Sequence, residues 1–103
     1  MKTKTRTKPD AKAKGKTAKP QPFTVAANLA YKWYDEIESG KKRTEYRDIS
    51  DYWESHLFRD GRPAKFIKFS RGYTKTNMTW EVRRIDVDKT EGLYMIRLGK
   101  RVE

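Results

Sequence analysis

After Met1, the first large apolar residue in this chain is Phe23. Residues 1–22 are almost entirely Lys, Thr, Ala and Pro, so they cannot bury enough surface to offset the entropy of being ordered. The expectation is a disordered basic arm over residues 1–22 and one folded domain over residues 23–103. A domain of about 80 residues buries only roughly 60% of the surface its unfolded chain exposes, so its stability margin is thin. Eight of the 25 Lys and Arg residues lie in the arm against a single acid, Asp10, so most of the formal charge of +11 precedes the domain. Two uses of such an arm stay open: attraction to phosphates, which falls steeply with salt, and simple solubilisation.

Composition excludes several classes of chemistry. Without cysteine there is no disulfide framework, thiolate metal site or thiol nucleophile, and a reducing cytosol suits the chain. No run of 18 apolar residues occurs, and the basic N-terminus lacks the apolar stretch of a secretory signal. We therefore expect a soluble, unexported, cytoplasmic protein with no membrane partner. His56 is the only histidine, so a two-histidine nuclease mechanism is unavailable within one chain. Asp48, Asp51 and Asp60 follow no metal-loop spacing, and neither a metal nor a cofactor is expected.

From Phe23 the pattern becomes that of a small α+β domain. Residues 23–26 read as an opening strand. Leu29, Trp33 and Ile37 recur at helical spacing, widened by Ala30 and Tyr34, which predicts a helix over 29–39 capped by Asn28 and ended by Gly40. A shorter helix or turn is expected from an N-cap at Ser50 through Trp53 to Leu57, followed by a turn at Asp60-Gly61. Strands are expected over 64–69, 79–87 and 93–98, with 88–92 as the last hairpin loop. Apolar parity shifts from Trp80 and Val82 to Ile85 and Val87, which predicts a β-bulge near Arg83 or Arg84. Trp33, Phe66, Phe69 and Trp80 fall on predicted apolar faces and are expected in the core, whereas Trp53 and Tyr73 are open to either use. Short strands with one or two helices near the start predict a small mixed barrel.

The group that carries chemistry follows the first helix. Gly40 is succeeded by Lys41, Lys42 and Arg43, and then by Thr44 to Arg47. If that run is extended, Arg43, Glu45 and Arg47 share one face and Thr44 and Tyr46 the other. Cations around one acid suit a phosphate or a polarised carbonyl, while an ordinary solvated edge strand explains the same residues. Arg71-Gly72-Tyr73-Thr74-Lys75-Thr76-Asn77 forms a polar loop, a second candidate wall of the cleft or a plain strand connection.

The run Ile37-Glu38-Ser39-Gly40-Lys41-Lys42-Arg43-Thr44-Glu45-Tyr46-Arg47, with the later Arg71-Gly72-Tyr73, resembles the ASCH domain pattern of an isoleucine, then Gly-x-Lys, then Glu-x-Arg. The resemblance spans about residues 23–102. It implies a PUA-like β-barrel with a cleft beside the motif, and a family associated with RNA. The expected partner is RNA or another single-stranded nucleic acid, or a nucleoside, while the resemblance leaves any protein partner unknown. On this reading Lys42, Arg43, Arg47, Trp53, Arg71 and Tyr73 bind nucleic acid. The alternative is an enzyme acting on RNA or a modified nucleoside, a ribonuclease or an amidohydrolase, with Lys42 and Glu45 as its catalytic residues. In an amidohydrolase branch similar to this family a threonine stands where this chain has Glu45. A third reading is a protein adaptor whose tail binds an acidic partner.

Overall fold

The computed structural model describes residues 21–102, so all but the last two residues of the expected arm lie outside it. Seven strands and two helices are arranged as β1 (Thr24–Leu29), α1 (Tyr31–Glu38), β2 (Thr44–Asp48), α2 (Asp51–Leu57), β3 (Phe58–Arg59), β4 (Arg62–Pro63), β5 (Phe66–Arg71), β6 (Asn77–Asp88) and β7 (Leu93–Val102). Five strands form one curled, half-barrel sheet in the order β1-β5-β6-β7-β2. The β1–β5 pair is parallel and the rest are antiparallel, which makes this the expected mixed α+β architecture. The small hairpin β3–β4 turns at Asp60 and Gly61, both left-handed, as a two-residue Asp-Gly connection requires. Among the described residues no helix is long and apolar enough to cross a membrane.

The first strand runs further than expected. Phe23, Val25, Ala27 and Leu29 are buried at strict alternation, so Leu29 closes β1 instead of opening the helix. The helix starts at Tyr31 behind Ala30, which has no side-chain cap, and Asn28 is a strand residue, not the N-cap. Its buried face is Tyr34 and Ile37, one turn apart; Trp33, expected in the core, is 42% exposed. An eight-residue helix packed by two side chains has too narrow a stripe to include a third at position 33. Phe66 is only half-buried because Ile67 and Phe69 take the inward face of β5, and positions three apart cannot share a strand face. Phe69 and Trp80 are in the core as expected, with Ile37, Ile67, Met78 and Ile96 among their buried companions.

The helix ends as its sequence predicts. Gly40 adopts φ +84° and its N–H donates to the Ile37 carbonyl at 3.0 Å. The Lys42 N–H then donates to the Glu36 carbonyl at 3.0 Å, which folds the lysine run back over the helix end before β2 begins. In α2, Ser50 Oγ accepts from the Trp53 N–H at 3.1 Å.

The expected bulge is two bulges. Between Trp80↔Arg101 and Val82↔Leu98 the register gains a residue on β7; between Val82↔Leu98 and Arg84↔Arg97 it gains one on β6. The second shift moves the inward set from Val82 to Ile85 and leaves Arg83 and Arg84 both outside. The first centres on Gly99 and Lys100, where the Lys100 N–H donates to Glu81 Oε1 at 3.3 Å.

Candidate nucleic-acid interface

Strands β1 and β2 are the two edges of the curled sheet, and no backbone ladder joins them. Side chains bridge the opening instead. Glu45 points inward from β2 and is 6% exposed. Arg47 Nη2 meets Glu45 Oε2 at 2.7 Å and also donates to the Asn28 carbonyl on β1 at 2.8 Å. Lys42 Nζ stands 3.4 Å from the other carboxylate oxygen, Oε1. A carboxylate this buried would be costly alone, but two cations on its two oxygens compensate the desolvation. Arg47 Nε is buried with no partner, so the guanidinium depends on Nη2 for its hydrogen bonds.

Aromatic rings surround this charged group. Lys42 Nζ lies 4.8 Å from the centre of the Trp33 ring and 5.2 Å from that of Tyr46. Lys32 approaches the Trp33 ring as well, at 4.8 Å. Arg47 stacks over Trp53 at 4.9 Å, and Trp53 meets Tyr52 edge to face. Trp33, Tyr46 and Tyr52 are 42%, 47% and 58% exposed, so these faces are open to water. Tyr94, the cross-strand partner of Arg47, is buried beneath; desolvation pushes its phenol pKa up, aided by the charges of Glu54 and Asp51, and keeps it neutral. Cations between exposed rings are an arrangement on which unpaired bases can stack while a phosphate finds a counter-charge.

The structure brings together four of the residues singled out by sequence: Lys42, Glu45, Arg47 and Trp53. Arg43 does not join them, although alternation places it on the face of Glu45. Its guanidinium donates to the Gly99 and Leu98 carbonyls at 2.8 and 3.4 Å, where the β7 bulge turns those oxygens outward. Arg71 is also elsewhere. It forms a forked ion pair with Asp35 at 2.9 and 3.0 Å and lies 4.2 Å over the Tyr31 ring. Tyr31 and Asp35 are one turn apart on α1, and at about 100° per residue they sit on the flank opposite Trp33. The hydrogen bonds from Arg71 hold the Asp35 carboxyl below the usual carboxylate range, and the same pair raises Arg71. Tyr73 lies in the same loop and is 97% exposed.

That loop is anchored through Gly72, whose N–H donates to the Leu29 carbonyl at 2.8 Å. Gly72 has φ +60°, and a Cβ there would fall 2.7 Å from Tyr31 Cε1. Gly72→Ala is therefore expected to cost about 1 to 2 kcal/mol, read as a lower urea midpoint at unchanged slope. An unmoved midpoint would show that the loop yields without strain.

Sequence reasoning missed Trp33 as an exposed ring beside Lys42, and Asn28 as the far anchor of Arg47; Tyr46 it marked only as a ring next to Arg47. Trp33 carried no signal because its spacing fitted a buried stripe. The predicted two-face alternation did place Tyr46 opposite Glu45, and from an edge strand that face is solvent. Compared with protein-family models and with curated proteins, the sequence gives no match.

Proposed function

We propose that this domain is an ASCH-like, RNA-directed binding module of the cytoplasm that holds unpaired bases at the β2 edge. One observation carries the reading: the Lys42 ammonium lies between two exposed rings, Trp33 and Tyr46, while Glu45 fixes its position from below. Rings stack with any base, and a cation beside them answers the phosphate, so the surface suits single strands better than a duplex whose bases are already stacked. The geometry favours holding over catalysis. Both oxygens of Glu45 are engaged, by Lys42 and by Arg47 with its bond to β1, so the carboxylate serves as a fixed support instead of a proton acceptor.

The test is a titration of the full chain with a labelled uridine oligonucleotide, single-stranded and as a duplex, over a range of salt. Tighter binding of the single strand with a steep salt slope is expected. The basic residues before Phe23 should account for part of that slope, so a chain beginning at residue 21 binds with a shallower one, by about 0.7 per lost phosphate contact. Affinity equal for both forms, or independent of salt, would reject the proposal.

A further inference from the structure

Away from the Lys42–Glu45 group, four arginines line one open groove. Arg43, Thr44, Arg83, Arg84, Arg97 and Leu98 enclose a space of about 470 Å³ above the paired bulges of β6 and β7. The bulges build it. The extra residue in β6 turns Arg83 and Arg84 outward together, where regular alternation would have buried one of them. The bulge in β7 offers the carbonyls of Leu98 and Gly99 to Arg43, which docks its guanidinium along the groove wall. The main chain supports this wall, since the Leu98 N–H donates to the Arg43 carbonyl at 3.0 Å. Arg97 Nη1 reaches Thr44 Oγ1 at 3.3 Å and so spans β7 to β2.

This concentration of charge is poorly neutralised. Asp86 is the acid that pairs with groove residues, shared between Arg97 at 2.9 Å and Arg84 at 3.1 Å. Those two hydrogen bonds, Arg97's the stronger, hold the Asp86 carboxyl below its ordinary pKa. Glu81 lies near the Arg83 stem but bonds the Lys100 N–H, and among the described residues neither Arg43 nor Arg83 has a carboxylate partner. Four arginines lining one cavity with one acid between them leave it net positive, which an entering anion would offset. Planar forked donors beside a threonine hydroxyl match the oxygens of a phosphate.

We infer that the groove is a phosphate-binding site, and that the phosphates it takes are those of a nucleic acid strand running past the β2 edge. The second half rests on the function proposed above. Thr44 of the groove and Tyr46 of the stacking surface are alternate residues on the same face of β2, so a strand with a base against Tyr46 has its neighbouring phosphates within one or two nucleotides of Arg97. The groove thus adds backbone contacts beyond the one that Lys42 offers, where part of the cationic charge is spent on Glu45.

The experiment uses the full chain and two double variants. Arg83→Gln/Arg84→Gln removes two groove charges at exposed positions. Lys75→Gln/Lys89→Gln removes the same charge from the turns on either side of β6 and controls for net charge. Log–log salt plots for a uridine oligonucleotide should be shallower by about 1.4 for the groove variant, from two lost single-strand phosphate contacts, and unchanged for the control. Melting temperatures of all three proteins should agree. A groove variant with wild-type slope and affinity, or a control that loses as much, overturns the site while leaving the stacking surface intact. Inorganic pyrophosphate provides an arm without bases: the side-chain N–H resonances of Arg83 and Arg84 should shift on its addition. If the wild type binds no oligonucleotide the proposed function falls, and the pyrophosphate spectra decide the groove alone. Shifts then sustain a phosphate site, and unmoved resonances reject it.

Discussion

Replacing Glu45 with alanine should destabilise the domain by about 3 kcal/mol, because it removes the acid from a group whose cations are largely shielded from water. Lys42 and Arg47 side chains are 18% and 19% exposed, so neither can be fully rehydrated without moving. Their partial access to solvent is why the lower end of the usual cost for breaking a buried pair applies. In a domain of this size that corresponds to a fall in melting temperature of roughly 12 to 24 °C. Removing Arg47 together with Glu45, as a Glu45→Leu/Arg47→Leu variant, should restore part of the loss, since Lys42 alone is then left without its counter-charge. Thermal melts of the three proteins check this. A Glu45→Ala protein that melts within a few degrees of wild type would mean that the carboxylate is solvated and holds nothing.

The second large effect is on binding. Trp33→Ala/Tyr46→Ala should weaken the complex with a single-stranded oligonucleotide by about 2 kcal/mol or more, roughly 30-fold, given about 1 to 3 kcal/mol for each base–ring stack. Both rings are also about half buried, so the double variant should lose about 1 to 3 kcal/mol of stability, and its binding is measured at a temperature where melts show both proteins folded. The salt slope should stay where it was, because rings neutralise no phosphates. Fluorescence anisotropy separates these quantities. Unchanged affinity in the double variant would remove stacking from the account of this surface.

Where the order of the chain could be read from residues alone, the signals were local. The composition change at Phe23, the Ser50 cap, the Gly40 stop and the Asp60-Gly61 turn each depend on a few adjacent residues. Apolar parity likewise revealed that β6 breaks its alternation. The beginning of α1 was misread because two periods overlap at Leu29: it continues the alternation of Phe23, Val25 and Ala27 and also stands four residues before Trp33. Nothing in the sequence decides between those periods; the parallel pairing of β1 with β5 does, by making residue 29 a ladder position opposite Arg71.

The candidate site was half legible for a similar reason. Lys42, Glu45 and Arg47 are close in sequence, and strand alternation was enough to bring the last two together. Arg43 obeys a different constraint, the carbonyls that a bulge on a distant strand turns toward it. Arg71 is claimed by Asp35 because the end of β5 passes beside α1, a fact of topology and not of spacing. The arginine groove has no motif at all. Its members come from the approach to β2, from β6 and from β7, and only the two shifts in register put them around one space.

The bond from Arg47 to Asn28 has a mechanical corollary. Among the described residues the first strand and the strand after the helix share no ladder of amides, and a guanidinium hydrogen bond spans them instead, so parting these two rims would unpair no strand. Loss of the Arg47 guanidinium would therefore remove this hydrogen bond between the two rims of the sheet while every strand ladder stayed intact.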